Sequence, residues 1–261
     1  MRCELLLAPD LVMRAERMLQ ALVEAAPAAG VDCTVSTDAP RTDAPVLVSY
    51  GLGHPVRRLW TERHKRLGGR LVGWDLGYWD RSEAMRLTID DDHPHRWIRP
   101  EAPDRFDAAG IVLREDARED GPVVIAGMGV KQRRLKGCSD RQWELEALQR
   151  VRAAFPARDV LYRPKRPEHP LLGCRTAKGD IEDVIRGASL VVCSHSNVAI
   201  DACIAGVPVW CDDGAALALY RDNPAPSREE RLGFLRSLAW WQWKPSEAVE
   251  AWRFIRAKLC A

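Results

Sequence analysis

Short apolar runs separated by longer amphipathic stretches recur along the chain. CELLLA at 3–8 is an uninterrupted apolar run of the length of a buried parallel strand. Asp10 precedes an amphipathic stretch over 11–25, with Leu11, Met18, Leu22 and Val23 on one helical face. Gly30 ends it, and VDCTVS (31–36) and PVLVSYG (45–51) predict two further strands. Residues 54–67 predict a helix opened by Pro55, whose fixed φ suits a first turn. RLVGWDLG (70–77) predicts a strand that runs into a polar, aromatic loop, and MRLTI (85–89) predicts another strand. Residues 90–107, rich in Pro, His, Asp and Arg, read as loop.

Charge and glycine at 118–121 separate this pattern from a second one. It restarts with a strand, PVVIAG (122–127). Ser139 with Gln142 predicts a capping box for a helix over 140–155. VLYRP (160–164) is the next strand, Asp180 caps a short helix, and SLVVCSH (189–195) is a buried strand. A helix over 197–205 is stopped by Gly206, and PVWC (208–211) is a strand. Ser227 with Glu230 caps a helix over 228–239. WWQWKP then breaks the pattern, and Ser246 opens a last helix to 259. This alternation implies an α/β fold of parallel sheets with helices on both faces. It divides into two Rossmann-like domains, 1–117 and 118–261.

Composition narrows the class. A hydrophobic fraction of 46% and a charged fraction of 29% exclude a disordered chain. No apolar run reaches the roughly 18 residues of a transmembrane candidate, and the first ten residues turn polar too soon for a signal peptide. The expectation is a cytoplasmic protein with no membrane partner. A net charge of +2 removes any global basic field. Local basic runs remain at Arg57–Arg58–Arg63–Lys65–Arg66, at Lys131–Arg133–Arg134–Lys136 and at Arg163–Lys165–Arg166. Each is either solvated surface or a set of phosphate contacts. The eight cysteines include no CxxC pair and read as small core residues rather than zinc ligands or disulfides.

The segment with most chemical content is GASLVVCSHSNVAIDACIAGVPVWCD at 187–212. A buried strand ends at Ser194, a small polar turn follows, and a helix starts near Asn197. Ser196, Asn197 and free backbone N–H groups then stand at a helix N-terminus, which favours anions. That end lies at the carboxyl edge of the strands, where open α/β sheets bind ligands. Asp201, one turn into the helix, suits ribose hydroxyls, or it is an ordinary helix carboxylate.

The segment resembles the nucleotide-binding half of GT-B glycosyltransferases, which carry a strand, a Ser/Asn-rich turn, a helix with an acidic residue, then Gly-x-Pro and a strand. Here these are Ser194–Asn197, Asp201 and Gly206–Pro208, with Asp where the family more often has Glu. LYRPKRPEHP (161–170) resembles the strand and "RPHP" of bacterial capsule-type transferases; Arg163 and Pro164 match, and Lys165 departs from its His. AGMGVKQRR (126–134) resembles the loop after the domain's first strand, with Gly127, Gly129 and Lys131 matching in type. The resemblance implies a nucleotide-sugar site, uridine diphosphate-linked, made by Gly127, Gly129, Lys131, Arg133, Arg163, Ser194, Ser196, Asn197 and Asp201. The cations would meet the charge of a departing diphosphate, and neither cofactor nor metal is required.

The first half is then expected to hold acceptor and base. GWDLGYWDR (73–81) places Asp75 and Asp80 beside Trp74, Tyr78 and Trp79, and IDDDHPHRW (89–97) adds His93. Asp75 is the first candidate base, with His93 and Asp80 behind it; all three also read as plain turn residues. A metal set of Asp91, His93 and His95 lacks a fourth ligand in register. GWDLGYWDR, LRED (113–116), AGMGVK and LAWWQW are similar to glycosyltransferase-like proteins of tailed bacteriophages, some of which glycosylate hydroxymethylated pyrimidines in DNA. That resemblance implies a double-stranded DNA acceptor met by Arg57, Arg58, Arg63, Trp74 and Trp79. A glycan-directed transferase, a nucleotide-sugar epimerase and a nucleotide- or nucleic-acid-binding module stay open beside it.

Overall fold

The computed structural model describes residues 1–41, 43–166, 170–171 and 173–260. In chain order its elements are β1 (Arg2–Leu6), α1 (Met13–Ala25), β2 (Asp32–Ser36), β3 (Val46–Tyr50), α2 (Pro55–Arg66), β4 (Arg70–Leu76), β5 (Met85–Ile89), α3 (Asp104–Ala108), β6 (Val123–Ala126), α4 (Val130–Lys136) and α5 (Gln142–Ala154). There follow β7 (Val160–Arg163), β8 (Arg175–Thr176), α6 (Ile181–Ile185), β9 (Leu190–Cys193), α7 (Val198–Ala205), β10 (Val209–Cys211), α8 (Leu217–Tyr220), α9 (Arg228–Leu238), β11 (Gln242–Trp243) and α10 (Ala248–Cys260). Contacts divide them into two compact units, Met1–Trp97 with Trp240 onward, and Ile98–Ala239.

The first unit holds a six-stranded sheet in the order β11-β5-β4-β3-β1-β2. Strands β1 to β4 run parallel, while β5 is antiparallel to β4 and β11 to β5. The inner strands are buried because helices cover a parallel sheet; β3 has Val46, Leu47, Val48 and Ser49 buried. One carboxylate, Glu4 of β1, is 2% exposed. It accepts from Ser36 Oγ and from the Arg41 N–H at 2.6 Å, so it pins the chain that leaves β2. The C-terminal segment belongs to this unit. Trp241, Trp243 and Trp252 are fully buried, Trp252 Nε1 donates to the Leu22 carbonyl of α1 at 2.7 Å, and Gln242 Oε1 accepts from the Tyr78 N–H at 2.7 Å.

The second unit holds a parallel five-stranded sheet in the order β10-β9-β6-β7-β8. Numbered by order of appearance and read from the β8 edge this is 3-2-1-4-5, the Rossmann-type order, with its reversal between β6 and β9. Helix α5 covers it through Trp143, Ala147, Leu148 and Val151, which share a face at helical spacing. Helix α9 starts from a complete capping box, with Ser227 Oγ accepting from the Glu230 N–H and Glu230 from the Ser227 N–H.

Several local expectations shift. Residues 90–107 carry a 3-10 turn at Pro94–Arg96 and the short α3 rather than loop alone. WWQW contributes β11, because Gln242 and Trp243 pair with Arg86 and Met85. Helix α5 starts at Gln142 after Arg141 in a left-handed conformation (φ 59°), with no side-chain cap. Of the expected box only the Gln142 half forms, Oε1 accepting from the Ser139 N–H at 3.2 Å. The units divide at 97/98 and 239/240, not at 117/118. Residues 98–117 go with the second unit, since the Arg114 and Asp116 N–H groups each bond α7 carbonyls at 2.8 Å.

Candidate functional site

In a parallel sheet every strand delivers its following loop to the same edge. In the second unit the loops after β6, β7, β9 and β10 stand at the carboxyl edge around the β6/β9 reversal, where this fold receives ligands. Gly127 follows β6, and its N–H bonds the Arg163 carbonyl of β7 at 2.9 Å. A Cβ on Gly127 would lie 2.5 Å from Tyr162 Oη, so a larger residue here would have to displace that phenol. After β9, the Ser194 carbonyl accepts from the Asp212 and Asp213 N–H groups at 3.1 and 2.8 Å. These bonds tie the loop after β10 to the loop after β9.

The contact that joins the motifs is made by Lys136. Helix α4 rises from Gly129, and Lys136 in its last turn places Nζ 3.0 Å from Ser194 Oγ and 3.8 Å from Asp213 Oδ2. The last turn of α4, the helix that leaves the glycine loop, and the Ser/Asn turn, separated in sequence by more than fifty residues, therefore meet at one ammonium. Ser194 is buried. Ser196 Oγ accepts from the Val198 N–H at 3.3 Å, and Asn197 is the residue before α7, whose first turn holds Asp201. Gly206 ends α7 at φ 76°. A Cβ there would lie 2.5 Å from the Arg114 carbonyl oxygen, which accounts for the glycine of the Gly-x-Pro element.

The other nominated cations divide. Lys131 is exposed on α4 and has no hydrogen bond or ion pair among the described residues. Arg133 is occupied: its guanidinium pairs with Asp140 and donates to the Met128 carbonyl at 3.3 Å. Arg163 donates to the Ala177 carbonyl at 3.4 Å. Pro164 and Lys165 follow β7, and residues 167–169 of the RPHP-like stretch lie outside the described residues. Three groups were missed by sequence reading. Lys136 was visible only as part of a basic run. Glu144 is fully buried and accepts from the Met128 N–H at 2.9 Å, fixing the glycine loop from below. Trp143 Nε1 donates to Asp212 at 2.5 Å, which orients the loop after β10. Burial pushes the Cys193 thiol up to about 12, so it is a neutral core group at this edge. Burial also pushes the Tyr162 phenol up to about 12.

In the first unit the nominated residues fare differently. Asp75, at the end of β4, is partly exposed. Its Oδ2 takes Arg86 Nη2 at 3.1 Å and its Oδ1 the Leu76 N–H at 2.7 Å. Asp80 is exposed at φ 48° and pairs with Lys244 at 2.6 Å, which raises the Lys244 pKa through that hydrogen bond. His93 is 3% exposed, so it meets no acceptor without movement. Arg57 is 5% exposed and bonds Asp10 at 2.6 Å. Trp74 is 1% exposed. Neither the expected phosphate contact of Arg57 nor the expected stacking of Trp74 is available in this conformation. Arg58 pairs with Asp92 at 3.6 Å, and Arg63 and Trp79 keep exposed surface. Among the described residues no three His, Cys, Asp or Glu side chains gather as a metal site, and no helix is long and apolar enough to cross a membrane.

No family model matches the chain, and no curated protein matches it in sequence. Solved structures do. The beta Kdo 2,7 transferase of Thermosulfurimonas dismutans KpsC aligns over 98% of this chain and 100% of its own, with a TM-score of 0.58 and 15% identity. The beta Kdo 2,4 transferase of the same KpsC aligns over 88% and 89%, with a TM-score of 0.54 and 10% identity. A UDP-GlcNAc 2-epimerase from Methanocaldococcus jannaschii, solved with UDP-GlcNAc and UDP, aligns over the whole of both chains at 9% identity. Its TM-score of 0.36 is too low to bear on chemistry. What the two KpsC structures establish is a fold: an α/β chain of two Rossmann-like units, GT-B-like, whose C-terminal helix returns to the first unit.

Proposed function

We propose that this chain is a glycosyltransferase that takes its sugar from a nucleotide-sugar, with a uridine diphosphate-sugar as the first donor to try. The observation that carries the reading is the Lys136–Ser194 contact at 3.0 Å, which ties the helix that follows the glycine loop to the Ser/Asn turn at the carboxyl edge of a Rossmann-ordered sheet. Lys136 and Arg163, each held by a partner, supply positive charge there, and Lys131 adds an exposed ammonium. Ser196 and Asn197 supply polar side chains, the first four N–H groups of α7 being bonded within the turn itself rather than free as the sequence suggested, and Asp201 supplies a carboxylate for ribose. In transfer, an acceptor hydroxyl oxygen bonds the anomeric carbon while the bond from that carbon to the diphosphate oxygen breaks. The electron pair leaves with the diphosphate, where the cations stabilise it. The hydroxyl proton goes to a carboxylate, and Asp75 is the proposed base, oriented by Arg86.

The burial of Arg57 and Trp74 removes two of the five residues expected to meet duplex DNA. The proposal therefore keeps the acceptor as a hydroxyl compound and makes the hydroxymethylated base an outcome to measure. The test is incubation with a panel of nucleotide-sugars and with acceptors that include oligosaccharides and hydroxymethylated duplex DNA, read by mass spectrometry. A glycosylated acceptor with release of nucleotide is the expected result. An epimerised nucleotide-sugar formed without acceptor, or nucleotide binding with no turnover across the panel, would overturn it. If the product is glycosylated DNA, DNA affinity falls steeply with salt, and Arg58→Ala with Arg63→Ala removes much of that slope.

A further inference from the structure

The second half of α2 and the 39–41 segment between β2 and β3 enclose a cavity of about 240 Å³ that plays no part in the site above. Its walls are Ala39, Pro40, Arg41, Trp60, Arg63, His64 and Leu67. Two properties stand together there. The apolar wall is left open: Leu67 is 77% exposed, and Trp60 keeps part of its surface in solvent. Among the described residues every charged or titratable lining side chain is a base, Arg41, Arg63 or His64, and no carboxylate lines the cavity. The neighbouring cavity along α2 contrasts with it, being lined by Glu62, Asp91 and Asp92 beside Arg58 and Lys65.

The charges in this cavity are not used up internally. Arg63 has no ion pair among the described residues, and Arg41 has one exposed pairing, to Asp38 at 3.1 Å. The carbonyl end of α2 favours cations by itself. That accounts for Lys65 and Arg66, but not for an open Trp60–Leu67 wall beside Arg63. Water counts set the size: 240 Å³ is room for about eight molecules at their share of liquid volume. It lies below the roughly 300 Å³ at which drug-sized ligand sites begin. One ring with one charged group fits that volume.

We infer that this cavity binds a monosaccharide carrying a single anionic group, with the ring's C–H face on Trp60 and the anion between Arg41 and Arg63. Cavity and cation geometry call for a single-ring anion; the choice of a saccharide ring over an aromatic one rests on the proposed function. The anion is a phosphate ester or a carboxylate, which the cations meet with the same donors.

The experiment is calorimetry on the full chain with glucose 1-phosphate, glucuronate, glucose, inorganic phosphate and phenyl phosphate. At least one of the two anionic sugars should bind saturably, and more tightly than both glucose and inorganic phosphate. The tighter of the two identifies the anion. Arg63→Ala and Trp60→Ala should each weaken that binding at least tenfold. Arg66→Ala, outside the cavity, should leave it unchanged. Trp60→Phe and Arg41→Ala repeat the test if Trp60→Ala fails to fold, the first retaining binding and the second losing it. No saturable binding of either anionic sugar, or binding indifferent to Arg63→Ala, overturns the site. A preference for phenyl phosphate overturns the saccharide assignment. These are equilibrium measurements without donor or turnover, so their failure is distinguishable from failure of the transferase reading.

Discussion

The two units carry sheets of comparable size, yet some residues nominated from their sequences meet different fates: in the first unit Asp75, Asp80, Arg58, Arg63 and Trp79 keep accessible surface, while three others do not. In the second unit, Gly127, Gly129, Ser194, Ser196, Asn197 and Asp201 stand at or beside strand ends and on one edge, because their motifs are statements about backbone: a strand, a turn, a helix start. In the first unit, Arg57, Trp74 and His93 were nominated for side-chain chemistry, and each is at most 5% exposed. Packing claimed them. The antiparallel β5 and β11 and the returning α10 bring an aromatic block of Trp241, Trp243, Trp252 and Phe254 into the first unit. A motif that encodes chain geometry survives folding; a residue type that serves equally in a core does not announce which role it takes.

Substitutions can break or sharpen that contrast. The largest effect belongs to Trp252→Ala, which removes a fully buried ring and its bond to Leu22 and should lower stability by about 3–5 kcal/mol in urea denaturation. A loss below about 1 kcal/mol, the scale of ordinary substitutions, would mean that the C-terminal return is not integral to the first unit's core. Lys136→Ala should lower kcat/KM by about 10²–10³-fold, the scale of losing one fixed electrostatic donor, with an unchanged melting temperature. Equal loss of stability and activity would reduce Lys136 to a structural tie. Asp75→Asn should lower kcat by about 10²-fold in a protein that still folds, since the amide oxygen can still accept from the Leu76 N–H, with some stability lost through the ion pair to Arg86. Full turnover would take the base away from β4. Smallest, Ser227→Ala should cost about 1 kcal/mol through the lost cap of α9, read by thermal unfolding, and should not alter nucleotide affinity.

Much of the fold was legible. The apolar runs at 3–8, 45–51, 70–77, 85–89, 122–127 and 189–195 each became a strand, with ends displaced by a residue or two. The parallel order was implied by the alternation of strands with helices. Three features were not legible, for physical reasons. WWQW reads as an interruption because a two-residue strand has no period, and only its partner β5 makes it one. The extent of the second unit depends on backbone bonds from Arg114 and Asp116 to α7, which no local pattern encodes. Arg57 sits in a run of exposed-looking bases, yet Asp10, 47 positions away, pairs it into the interior. At the candidate site the same limit hid Glu144, a carboxylate on an amphipathic helix whose only visible property was its charge, and whose partner is a backbone N–H of the glycine loop.

The central claim is that the strand-end loops of the second unit, gathered by Lys136, bind a nucleoside diphosphate. Calorimetric titration of uridine diphosphate into the full chain and into Lys136→Ala tests it without any knowledge of the acceptor. Saturable binding to the native chain, weakened at least tenfold in a Lys136→Ala protein that melts at the native temperature, is the predicted result. Absence of binding to the native chain, or the same affinity in both proteins, would contradict it.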